Sequence, residues 1–170
     1  LGADPTKLGW FFILPPLAGL VVQPAIGSFS DRTWAPKLGG RRLPYLLIGM
    51  IFAVIMMLFL PNIGSLGLGY GSIEALVFGA IAIAILDVAA NMAMQPFKMM
   101  IGDMVNDEQK SYAYGIQSML SNSGAVIAAF FPFLLTVLGV ANTAKKGVVP
   151  QSVVISFYVG ATILVITSLL

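Results

Sequence analysis

One acidic residue stands inside an apolar stretch, far from either end of it. Asp87 lies within the run Ile73 to Met100. Counted from Ala75, it sits about 18 Å along a helix rising ~1.5 Å per residue. A carboxylate at mid-membrane depth is costly, so it faces a cavity or a partner rather than lipid. Two chemistries suit it there: binding a proton, or accepting from a substrate hydroxyl. The alternative is a structural hydrogen bond to a neighbouring helix. Asn91 follows four residues later, on the same helical face. Lys98 returns to that face about 16 Å further along the axis, too far for a direct pair. It is expected to reach the membrane surface or a cytoplasmic gate. In the next apolar run Gln117 and Ser121 share a face with Gly124, with Ser118 and Asn122 beside them. Carboxylate, amide and hydroxyl groups together suit a polyhydroxylated ligand, because every sugar hydroxyl both donates and accepts. Asp87, Asn91, Gln117, Ser121 and Asn122 are therefore the candidate substrate or proton ligands, and Gln23 is a further candidate for lining the cavity.

The elements that must position these groups follow from composition. Of 170 residues 58% are hydrophobic and 9% charged, with mean hydropathy +0.94. Soluble domains carry about a quarter charged residues, so most of this surface must face lipid. The net charge of +2 gives no reason to expect nucleic acid as a partner. There is no cysteine and no histidine. That excludes disulfides, Cys/His metal sites and histidine proton relays. An intramembrane enzyme would need a nucleophile and base or a metal, and Asp87 has no second carboxylate in a span. No catalytic residue, metal or organic cofactor is expected.

Five apolar runs approach the roughly 20 residues that cross a bilayer: about 8–30, 44–60, 73–100, 111–140 and 150–170. They lack the alternation of barrel strands, so they are expected to be helices whose backbone groups are satisfied internally. Prolines inside them are tolerated as kinks. The basic residues sort by side. Arg32, Lys37, Arg41, Arg42, Lys98 and Lys110 fall on one side, and Lys7, Lys145 and Lys146 on the other. The richer side, with the loops about 31–43 and 101–110, is assigned to the cytoplasm. The chain opens on Leu1 and stops within an apolar run at Leu170. It is therefore expected to be a fragment, a single partial transmembrane domain over 1–170, with one helix before it and about six after it.

The loop after the first run is the most specific feature. Gly27, then Asp31-Arg32, then Gly40-Arg41-Arg42 resembles the signature between helices two and three of the major facilitator superfamily. Gly2-Ala3-Asp4, Pro16-Leu17-Ala18-Gly19-Leu20, Gln23-Pro24, Ser30 to Trp34, Pro44-Tyr45, Asp87, Asn91, Gln95 to Lys98 and Asp103 are similar to its sucrose/proton and glycoside–pentoside–hexuronide symporter branch. Arginine forks can pair with carboxylates and latch one conformation. Gly27, Asp31, Arg32, Gly40, Arg41, Arg42 and Asp103 are the expected cytoplasmic gate, with Asp103 paired to Arg41 or Arg32.

The resemblance implies an all-α, polytopic membrane helix bundle covering helices two to six of a major facilitator fold. It implies a secondary transporter that moves a sugar or glycoside, a disaccharide first, by alternating access with a coupling proton, or sodium in its place. Its partners would be the sugar, the bilayer and the remaining helices. Its location would be a bacterial inner membrane or a plasma membrane. A carrier for a non-sugar solute is the alternative, because the gate loop is shared across substrates. A channel ranks below it, since no filter-like stretch occupies a re-entrant position.

Overall fold

The computed structural model describes residues 5–36, 40–62, 73–145 and 148–169. Lys37 of the basic loop and Lys146 lie outside the described residues, as does the Gly69-Tyr70-Gly71 stretch weighed as a filter. The described chain is helical: α1 Pro5–Arg32, α2 Leu43–Phe59, α3 Ile73–Met104, α4 Asp107–Val137 and α5 Gln151–Leu169. Among the described residues α2, α3, α4 and α5 are long and apolar enough to cross a membrane.

Several helix ends differ from the sequence expectation, among them the end of α3 and both ends of α4. Residues 101–104 continue α3, so the loop expected over 101–110 shrinks to the connection before Asp107. Nothing in Ile101-Gly102-Asp103-Met104 breaks a helix. Helix α4 starts after Asn106, whose extended backbone stops α3, and carries Asp107 and Glu108 in its first turn, where acidic groups favour the positive helix end. At its other end α4 stops at Val137 rather than near Val140. Gly139 has φ +91° there. Its N–H donates to the Thr136 carbonyl at 3.0 Å, and the Val140 N–H to Leu135 at 3.0 Å. That pair of bonds is a glycine-terminated helix end.

Helix α3 is the centre of the packing, with contacts to α1, α2 and α4, while α5 packs on α2 and α4. Small residues make this possible: Gly49, Ala53, Ala82 and Ala89 are buried, and lipid provides no hydrophobic drive, so close approach does the work. Gly49 is the tightest case. A Cβ there would lie 2.6 Å from the Ala93 amide nitrogen and 2.8 Å from the Ala89 carbonyl oxygen. Gly27 similarly faces Met99, with a Cβ reaching 2.9 Å from Cε. By contrast α4 has no buried residue.

Candidate functional site

The first polar cluster forms where α1 crosses α3. Asp87 and Asn91 sit one turn apart on α3, and the Asn91 amide nitrogen donates back to both the Asp87 main-chain oxygen, at 2.9 Å, and its Oδ2, at 3.1 Å. Gln23 on α1 completes the string, its Nε2 donating to Asn91 Oδ1 at 2.8 Å. Gly19 faces both amides. A Cβ there would meet Asn91 Nδ2 at 3.5 Å and Gln23 Nε2 at 3.6 Å. Asn91 is buried at 8% exposure. A cleft of about 430 Å³, lined by Pro16, Gly19, Leu20, Gln23, Asp87 and Asn91, opens over the string. Among the described residues no cation pairs with Asp87. Lys98 makes no ion pair either, in keeping with the axial distance.

The structure does not bring Gln117, Ser121 and Asn122 to this cleft. Helix α4 meets α3 near their shared connection, where the Tyr114 hydroxyl donates to the Lys98 carbonyl at 3.3 Å and its ring end lies against Gly102. Asn122 turns onto its own helix, donating to the Ser118 carbonyl at 2.8 Å, and Ser121 is exposed. Gln23 takes the place beside Asp87 instead. The signal in sequence was weak: one amide among apolar residues, followed by Pro24, with nothing to say which helix lay opposite.

The second cluster gathers three helix ends on the basic side. Arg42 immediately precedes α2 and reaches outward to two helices. Its Nε lies 2.8 Å from Asp103 Oδ2 on α3, and its Nη2 lies 3.6 Å from Asp31 Oδ1 on α1. The guanidinium side chain is only 18% exposed, against 57% and 60% for the carboxylates. The pairing expected for Asp103, with Arg41 or Arg32, is thus corrected to Arg42. Arg41 lies instead over the Trp34 ring, 5.8 Å from its centroid, a cation–π arrangement. Arg32 makes no ion pair among the described residues. The loop that sets this up closes on itself. Ala35 and Gly40 exchange backbone hydrogen bonds of 3.3 and 3.1 Å. Gly40 adopts φ +107°, a left-handed conformation suited to glycine. Thr33 and Tyr45 hydroxyls meet at 2.7 Å across the turn, and Ser30 is fully buried, donating to the Gly27 carbonyl at 2.9 Å. A cleft of about 420 Å³ lies beside this cluster, lined by Trp34, Arg41, Arg42, Leu43, Met100 and Asp103.

Among the described residues the bundle thus holds one mid-span carboxylate without a cation beside it and a cluster of charge pairs at one end. The sequence model of the MFS/sugar transport protein family matches residues 1–169. This chain belongs to that family. Among curated proteins it is 30% identical over 132 residues to solute carrier family 45 member 4 of Homo sapiens, covering 71% of this chain and 16% of that protein. It is 32% identical over 120 residues to the sucrose transport protein SUC4 of Arabidopsis thaliana, covering 66% and 23%. It is 28% identical over 135 residues to the general alpha-glucoside permease of Schizosaccharomyces pombe, covering 76% and 24%. The chain therefore spans a quarter or less of the length of these relatives. No solved structure gives a significant match. Family membership and the apolar helices together make this a multi-pass integral membrane protein of the MFS/sugar transport family, whose named relatives are carriers rather than enzymes.

Proposed function

We propose that the full protein is a secondary active transporter for a sugar or glycoside, a disaccharide first, driven by a proton gradient in a plasma or bacterial inner membrane. Alternating access would come from rocking of this part of the protein against the remaining helices around a midplane site. Asp87 is the coupling group and a substrate acceptor, with Asn91 and Gln23 beside it. Gln117, Ser121 and Asn122 on α4 are a second set for substrate, on a helix whose sides are free for the rest of the protein. The Arg42–Asp31–Asp103 cluster, with Gly27, Gly40, Arg32 and Arg41 shaping its loop, is the cytoplasmic gate. One observation carries the reading: a carboxylate in the middle of a span that accepts, among the described residues, only from the neutral Asn91 amide and lines a cleft. A lone intramembrane carboxylate in a cavity is the arrangement a proton carrier needs. The sucrose and alpha-glucoside transporters among the relatives support the choice of substrate class.

The test is uptake of labelled sucrose, maltose and glucose by cells expressing the full-length protein, with and without a protonophore and with sodium replaced by choline. Accumulation of a sugar that collapses with protonophore, survives sodium removal and is lost in Asp87→Asn is the expected result. Collapse on sodium removal alone would replace the proton by sodium. No uptake of any sugar, by protein shown to reside in the membrane, would move the reading to a carrier for a non-sugar solute.

A further inference from the structure

The amide string between Asp87 and Gln23 has a fixed direction. Asn91 has two donors and one acceptor atom, and its nitrogen is committed to Asp87 through both the side chain, at 3.1 Å, and the main-chain oxygen, at 2.9 Å. Its oxygen is thereby turned towards α1. Only a donor can meet it, and Gln23 supplies Nε2 at 2.8 Å. The Gln23 amide is then oriented in turn, with Oε1 left over. Among the described residues neither Gln23 Oε1 nor Asp87 Oδ1 has a hydrogen-bond partner, and both residues line the cleft. We propose that Gln23 is a substrate-specificity residue that accepts a hydrogen bond from one sugar hydroxyl through Oε1, held in that orientation by Asn91. This rests on the reading of the cleft as a sugar site and adds the hydroxyl's required role, which is donor.

The direction of the string is independent of the charge on Asp87. A protonated Asp87 retains one acceptor oxygen, and the main-chain oxygen that also holds Asn91 does not titrate. Other charges are remote from it. Helix α1 faces Asp87 with the neutral Gln23 and carries Asp31 and Arg32 at its far end. Helix α2 has no charge from Pro44 to Phe59 and one titratable group, Tyr45, at its start. Helix α4 has none from Ser111 to Val137 beyond the phenols of Tyr112 and Tyr114, and α3 itself carries Glu74, Lys98 and Asp103 towards its ends. The direction of the bond to Gln23 is therefore the same with and without a proton on Asp87, because the main-chain oxygen holds the Asn91 amide in either case. Gly19 is part of the device. It leaves the two amides room to approach, and a side chain larger than alanine would crowd both nitrogens.

Fluorine separates donor from acceptor roles, because a deoxyfluoro sugar offers a weak acceptor and no donor. The experiment uses the full-length protein, with labelled sucrose and maltose as transported probes. Phenyl α-glucosides serve as competitors, each with one ring hydroxyl replaced by hydrogen or by fluorine. For wild type, one position is expected to lose roughly tenfold in affinity with either replacement, by the same factor at pH 5 and at pH 7. In Gln23→Met that penalty should fall to within about twofold. In Asn91→Leu, where Gln23 is present but free to turn, the fluoro compound should recover while the deoxy compound does not. That split is one that mere structural damage would not produce. A penalty unchanged in Gln23→Met, in a protein that still transports and still needs Asp87, overturns this proposal alone. A fluoro compound tolerated at every position in wild type also overturns it. Absence of sugar uptake, or uptake indifferent to Asp87→Asn, overturns the reading of the cleft and this proposal with it.

Discussion

The two polar clusters use the same helix in opposite ways. At the last turn of α3, Asp103 meets a full positive charge at 2.8 Å, and its carboxylate is 60% exposed. In mid-helix, the Asp87 carboxylate meets, among the described residues, only the neutral amide of Asn91. Water is available at the helix end, so a charge pair there forms and parts at little cost. Asp87 instead lines a cleft between α1 and α3, with no cation beside it among the described residues. The difference separates the two proposed roles. The charge-paired helix ends suit the proposed gate, and the carboxylate without a cation suits the proposed coupling site.

Breaking the scaffold that both clusters share should have the largest effect on stability. Gly49→Val forces a branched side chain into the α3 backbone at a contact where even a Cβ would come within 2.6 Å. A loss of about 3 kcal/mol is expected, seen as a lower thermal midpoint of the full-length protein in detergent, with both clusters disturbed together. Gly115, which has open space around it, should tolerate alanine in the same assay.

Asp87→Asn separates the clusters. It should abolish accumulation while the thermal midpoint stays at or above that of wild type, because an amide removes a charge from the apolar interior. A midpoint that falls instead would assign Asp87 a structural task and erase the contrast. Arg42→Gln is the converse. Its guanidinium is largely buried but its partners are more than half exposed, so the expected cost is about 1–2 kcal/mol after allowing for solvent screening. Labelling of a cysteine introduced at Ser30 should speed up from the cytoplasmic side as the latch loosens. A double-mutant cycle then ranks the partners: coupling of Arg42 to Asp103, at 2.8 Å, should exceed coupling to Asp31, at 3.6 Å. The smallest effect belongs to the pair Lys110 and Asp107, 2.6 Å apart at the start of α4, with Asp107 93% exposed. Lys110→Gln should leave both transport and the thermal midpoint unchanged.

The clusters were unequally legible before the fold was known. Asp87 and Asn91 stood out because both lie on one helix, where a spacing of four residues places them on one face whatever the helix packs against. The gate residues stood out because Asp31-Arg32 and Gly40-Arg41-Arg42 are close together in the chain. The choice among three arginines for Asp103 was not legible. It turns on where α2 begins and on the left-handed Gly40, which together send Arg42 over α3 and Arg41 onto Trp34. Gln117, Ser121 and Asn122 were drawn in by their own helical spacing, which says nothing about which neighbour their face meets.

Sequence by itself determined the class of this protein. A chain 58% hydrophobic and 9% charged, divided into runs of membrane length, has only helices available to it, because hydrocarbon leaves no other way to satisfy the backbone. The signature loop added the family. Tertiary structure alone decided the pairings: α1 rather than α4 at the Asp87 cleft, Gln23 as the end of the amide string, and Arg42 as the partner of Asp31 and Asp103. These are contacts between distant segments, and they depend on how closely two helices approach. Between α2 and α3 that distance is set by Gly49 through the side chain it lacks, and its consequences appear only when the opposing helix is in place.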